Sequence, residues 1–94
     1  MRSLLYRFEG VNTLFTGTVQ AVAVSPDKEY KILLILGLRH KGLLLDDHVW
    51  IKIKRRFSPA YISKGTVVTF SGKVKKYTTK NNKQNFGITS VTLH

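Results

Sequence analysis

Ninety-four residues, 43% of them hydrophobic, carry 16 Lys or Arg against five Asp or Glu, a formal net charge of +11. That length suits one small domain and not two, and the apolar residues recur too regularly for a wholly disordered basic chain. With no cysteine, disulfide stapling and thiolate metal sites are excluded, so the fold has to hold by packing.

Residues 1–12 carry no decisive pattern: Leu4, Leu5, Tyr6 and Phe8 fit a short strand, a helical turn or a partner contact. They are expected as an extension of a domain spanning 13–94. MRSLLYRFEG lacks the long apolar stretch and small-residue cleavage site of a signal peptide. The longest apolar run, 32–38, falls far short of the roughly 20 residues that span a bilayer. A cytoplasmic protein with no membrane partner is expected.

A first strand is predicted over 14–24, rich in β formers, with Gly17 admitting curvature or a bulge. SPDKEY reads as a turn, because Pro26 presets a turn dihedral and Asp27 can bond the local backbone. The second strand runs from Tyr30 to about Arg39; its ILLILGL is apolar on both faces, and Gly37 marks a bend. After a turn at Lys41 and Gly42, the third strand extends to about Arg55. Alternation there puts Val49, Ile51 and Ile53 on one face and Trp50, Lys52 and Lys54 on the other.

Between strands three and four a short helix is expected, with Ser58 as N-cap, Pro59 at its first position and Lys64–Gly65 at its end. The fourth strand places Val68, Phe70, Gly72 and Val74 on one face and Thr69, Ser71, Lys73, Lys75 and Tyr77 on the other. KNNKQN is a polar loop, and the fifth strand, 86–93, is expected to bulge between Ile88 and Val91. This order predicts an all-β protein, a five-stranded OB-fold barrel with a short helix between strands three and four. An open SH3-like barrel or another five-stranded sheet is the competing architecture.

The placement of charge is more informative than its size. All five acids, Glu9, Asp27, Glu29, Asp46 and Asp47, lie in the first half, whereas 48–94 hold ten Lys or Arg and no acid. Such a field attracts polyanions and makes their binding salt-sensitive. A single-strand site needs cations for phosphates and aromatic faces for bases. Trp50 is the first stacking candidate and Tyr77 the second; the alternative for Trp50 is packing against the N-terminal segment or another subunit. Lys52 and Lys54 share its face. Arg55 and Arg56 cannot both do so, and Arg56 joins the candidate set. Lys73 and Lys75 line the fourth strand beside Lys76, and Lys80 and Lys83 sit in the following loop with Asn81, Asn82, Gln84 and Asn85.

Phe57, Tyr61, Phe70 and Phe86 are expected in the core or over its end. His40, Asp46, Asp47 and His48 are the only histidine and carboxylate cluster, but Asp47 and His48, being adjacent, should point to opposite faces, so no metal site is expected. No P-loop, nucleophile elbow or acid–base pair is visible. A non-enzymatic binding role without catalytic residues or cofactor follows.

FTGTV at 15–19, the LLxxLG-like spacing at 33–37, DDHVWI at 46–51 and KGTVVTFSGKV at 64–74 together resemble a family of small oligonucleotide-binding-fold proteins of phages and other mobile genetic elements. The resemblance implies largely sequence-independent single-stranded DNA binding in replication or transfer of such an element. It further implies a ligand lying across strands two and three, flanked by the loops after strands one and four, which points to Arg39, Trp50, Lys52, Lys54, Tyr77, Lys80 and Lys83. A typical bacterial single-strand binding protein has a Gly-rich, acidic tail that this sequence lacks, so recruitment of replication enzymes through one is not expected. A domain this small covers a short stretch, which implies a homo-oligomer or a replication-protein partner. RNA binding, including a ribosome-associated role, and an accessory protein-interaction module are the alternative readings.

Overall fold

Strands that alternate apolar and polar residues can bury one face only, and here they do so together in one sheet. The computed structural model describes residues 3–58 and 62–94. Strands β1 (Asn12–Val24), β2 (Tyr30–His40), β3 (Leu43–Lys54), β4 (Val67–Thr78) and β5 (Gln84–Leu93) pair antiparallel in the order β3-β2-β1-β4-β5. The central strand β1 is shared: residues 16–24 pair with β2, and residues 12–18 with β4.

The concave face collects Phe15, Val19, Leu33, Ile35, Leu38, Leu45, Ile51, Phe70 and Val74, all essentially inaccessible. Burial of each large side chain contributes roughly 1.5–3 kcal/mol. The Phe15 and Phe70 rings lie 5.8 Å apart at the middle of this core. A radius of gyration of 12.8 Å matches the ~12 Å expected of a compact domain this long.

The curvature has identifiable causes. Gly17 and Gly72 are buried where neighbouring strands approach so closely that a Cβ would overlap the Ile35 and Ile88 methyls respectively. Opposite each lies a bulge. Between Thr16 and Thr18 the β2 register gains one residue, with Gly37 at φ 63°, and between Ser71 and Lys73 the β5 register gains one, with Ser90 at φ 55°. The second is the bulge expected between Ile88 and Val91. Further shifts fall between Val19 and Ala21 of β1 and between Leu38 and Arg39 of β2.

The expected OB-fold barrel is not formed, because the sheet does not close. Hydrogen-bonded neighbours end at β3 on one side and at β5 on the other. These edges approach each other without a ladder. The Ser90 bulge interrupts the regular β5 edge there, as bulges do, and β3 gives way after Lys54 to a 3-10 turn. Closure needs tilt and register to agree around the whole circuit. What remains is a five-stranded antiparallel sheet curled about its core, with an open seam.

The helical connection between β3 and β4 is a 3-10 turn, Arg55–Phe57. Ser58 lies after it rather than before it, donating its backbone N–H to the Arg55 carbonyl at 3.1 Å. The helix expected to begin at Pro59 lies partly outside the described residues, as does Tyr61. At the chain start, a 3-10 turn over Leu5–Phe8 buries Leu5 completely. It is held by Leu4 N–H on the Leu45 carbonyl (2.7 Å) and Gly10 N–H on the Val74 carbonyl (2.8 Å). Among the described residues no helix is long and apolar enough to cross a membrane.

Candidate nucleic-acid interface

On the convex side, cross-strand pairing sets Trp50 beside Leu34 and Leu34 beside Ala21. The next rows are Lys52–Ile32–Ala23 and Lys54–Tyr30. Val49, Ile51 and Ile53 point inward, so alternation obliges Trp50, Lys52 and Lys54 to point out. Trp50 is 53% exposed and borders a half-buried apolar strip rather than a covering segment. Leu4 and Gly10 of the N-terminal segment are bonded instead to the Leu45 and Val74 carbonyls.

The cations here differ in how tightly they are held. The Lys52 ammonium sits 4.2 Å from the centroid of the Tyr30 ring, a cation–π contact that fixes it at the edge of the strip. Arg56 lies 4.8 Å over the Phe57 ring. Among the described residues no lysine or arginine is held in an ion pair with a carboxylate. The nearby β1–β2 turn engages Asp27 internally: Ser25 donates its hydroxyl to Asp27 and accepts from the Tyr30 N–H at 3.1 Å. The Ser25 hydroxyl and then the Glu29 N–H hold the Asp27 carboxyl below its usual value, with the Lys52 charge adding a smaller pull.

The remaining candidates are elsewhere. Lys73 is the last β4 residue paired to β1, opposite Asn12; Lys75 and Tyr77 lie beyond it on the two-stranded β4–β5 ribbon. Across the seam, Lys73 is paired to Thr89 of β5, which lines the same groove as Lys52 and Lys54. Trp50, Lys52, Lys54 and Arg56 belong to β3 and the turn after it, and Lys73, Lys75, Tyr77, Lys80 and Lys83 to β4 and the turn after it. Lys80 and Lys83 belong to a tight turn closed by Thr79 N–H on the Lys83 carbonyl at 2.8 Å. Arg39 joins neither: opposite Thr16, it donates to the Gly42 carbonyl at 3.0 Å, folding over its own turn.

Two expectations are corrected. Phe57, expected to be covered, is 67% exposed, because the 3-10 turn swings it out of the strand alternation. Asp47 and His48 do not diverge: the His48 ring donates Nδ1–H to Asp47 Oδ1 at 3.0 Å, and the ligand-type atoms of Asp46, Asp47 and His48 lie within 4.8 Å of one another. Contact with Asp46 and then His48 lowers the Asp47 pKa. Phe70 is in the core as expected, and Phe86 packs against it.

Sequence reasoning missed Tyr30 and Phe57 as part of this surface. The signal for Tyr30 was present: it opens β2 in the same alternating set as Ile32 and Leu34, so it had to share the outer face. Phe57 had no such signal, being outside any strand.

Tyr30 and Lys54 also join two depressions. One is a groove of about 750 Å³ along the seam between β3 and β5; the other is a cleft of about 630 Å³ beside the β1–β2 turn, lined by Lys28, Glu29, Arg55 and Arg56. No protein-family model, curated protein or solved structure matches the chain.

Proposed function

We propose that this protein binds single-stranded DNA, with little regard to sequence and without chemical turnover. The observation that carries the reading is Trp50: a half-exposed indole on a sheet-backed apolar strip, with Lys52 and Lys54 following on the same face. An indole offers a stacking surface to any base, and the lysines neutralise the phosphates between stacked bases. Ten cations and no carboxylate over 48–94 supply the long-range attraction. By favouring unpaired strands, such binding shifts DNA away from duplex. The resemblance in the strand strings suggests replication or transfer of a mobile element as the setting.

The test is competition among labelled single-stranded DNA, duplex DNA and structured RNA across a salt series. Single-stranded DNA should bind best, with log affinity falling linearly in log salt. Replacing Lys54 by Gln should flatten that slope by about 0.7, the contribution of one phosphate contact on a single strand. Trp50→Ala should weaken binding roughly 5- to 150-fold, the equivalent of one lost base stack. Equal avidity for duplex, or an unchanged Trp50→Ala affinity, would remove the assigned face. Preference for RNA would redirect the reading to the alternative sugar, and capture of a protein partner with no nucleic-acid binding would replace it by an accessory-module role.

A further inference from the structure

The open seam is more than a missing ladder. Its groove has Tyr30 and the exposed Phe57 on the β3 side, and Val91 and Leu93 on the β5 side. It runs, through Tyr30 and Lys54, into the cleft that contains Arg56. The apolar and aromatic part can take a flat unsaturated ring, and the adjoining end can take an anion. Those are the two halves of a nucleotide, joined in the order a nucleotide requires.

We propose that the seam is a second base-binding subsite for the same strand that stacks on Trp50, an inference that rests on the single-strand reading above. The base enters between Phe57 and the β5 wall while its phosphate lies on Lys54 and Arg56. Lys54 is four residues from Trp50, about 13 Å along β3, so a strand leaving the indole along the Lys52–Lys54 row arrives at the seam. Arg56 already occupies one side of the Phe57 ring, which leaves the other for a base and keeps the guanidinium where the phosphate falls. Ser90, on the opposite wall, has φ 55°, a conformation in which glycine would be less strained, yet the residue lining the groove there bears a hydroxyl. That hydroxyl can donate to or accept from a base edge, which suits a sequence-tolerant site. An extended acidic peptide would use the cations but would leave the aromatic lining without a function, so a nucleotide fits more of the surface.

The experiment measures affinity of the full chain for labelled oligothymidylates of increasing length, with and without a single abasic position stepped along the strand. Phe57→Ala should weaken the longer oligomers on the order of tenfold and leave the shortest binding oligomer unchanged, because one platform is enough for the latter. One abasic position should abolish the Phe57→Ala effect while a different one abolishes the Trp50→Ala effect. Ser90→Gly, which relaxes the backbone, should weaken the longer oligomers severalfold without lowering the melting temperature. Phe57 is exposed and Ser90→Gly relieves strain, so neither variant confuses folding with binding. Binding that remains sensitive to Trp50→Ala but not to Phe57→Ala would overturn the seam site and leave the single-strand reading intact. No oligothymidylate binding at all would overturn both. A polyglutamate peptide whose affinity depends on Phe57 while that of the oligomers does not would assign the seam to a protein partner instead.

Discussion

Strands β3 and β4 present the same elements in reverse order. On its outer face β3 reads Trp50, Lys52, Lys54, and β4 reads Lys73, Lys75, Tyr77. Their support differs. Trp50 sits on the edge strand β3, whose one partner β2 is itself paired there to β1, and it is flanked by Leu34. Tyr77, 49% exposed, lies where only β4 and β5 remain, its ring against Gly87, where an added Cβ would come within 3.2 Å of Cε1. Identical alternation thus yields a rigid platform in one place and a ribbon-borne ring in the other. Each strand has one paired neighbour at that point, so what differs is whether the neighbour is itself held by a further strand.

The contrast can be broken directly. If backing decides, Trp50→Ala should reduce single-strand affinity by the 5- to 150-fold stated above, and Tyr77→Ala by only a fewfold, because a platform that must first be ordered returns less on binding. Titrations of both variants side by side provide the check, and equal losses would dissolve the distinction. A second comparison acts on the supports. Gly17→Ala forces a methyl into Ile35 near the β1–β2 half, and Gly72→Ala forces one into Ile88 near the β4–β5 half. Each should lower stability by about 1–3 kcal/mol in denaturant melts, since β-branched neighbours yield poorly. Gly17→Ala should also disturb Trp50 fluorescence, which Gly72→Ala should leave as it is.

Smaller effects sharpen the picture at the turn beside Tyr30. Ser25→Ala removes the acceptor for the Tyr30 N–H and should cost about 1 kcal/mol of stability, read by the same melts. The smallest effect is a pH dependence. The Asp27 pKa is lowered in the folded chain, so the stability it lends is present above the unfolded-state carboxylate pKa and is lost as pH falls through the folded value. Asp27→Asn should remove this acid-side component; an unchanged profile below the normal aspartate range would show that Asp27 contributes nothing there.

Much of this was legible from local pattern. The alternation over 49–54 and 68–75 gave the inward and outward faces residue by residue, and the shift from Ile88 to Val91 gave the β5 bulge. Closure was not legible, because it depends on how β3 meets β5, strands far apart in sequence whose edges approach without pairing. Nor was the clustering of Asp47 with His48, where side-chain contact overrides alternation. Phe57 escaped because a single turn after a strand has no period to reveal which way it points. Of the two aromatics that make the seam distinctive, Tyr30 was within reach of the β2 alternation and Phe57 was not.

The burial of Leu5 has a consequence for how the chain reaches this state. Its anchors are the Leu45 carbonyl through Leu4 and the Val74 carbonyl through Gly10, so the opening residues complete their contacts only once most of the polypeptide is available. During synthesis residues 4–10 emerge before the β3 and β4 residues that hold them and settle only after those have formed, a long-range closure of the kind that slows assembly.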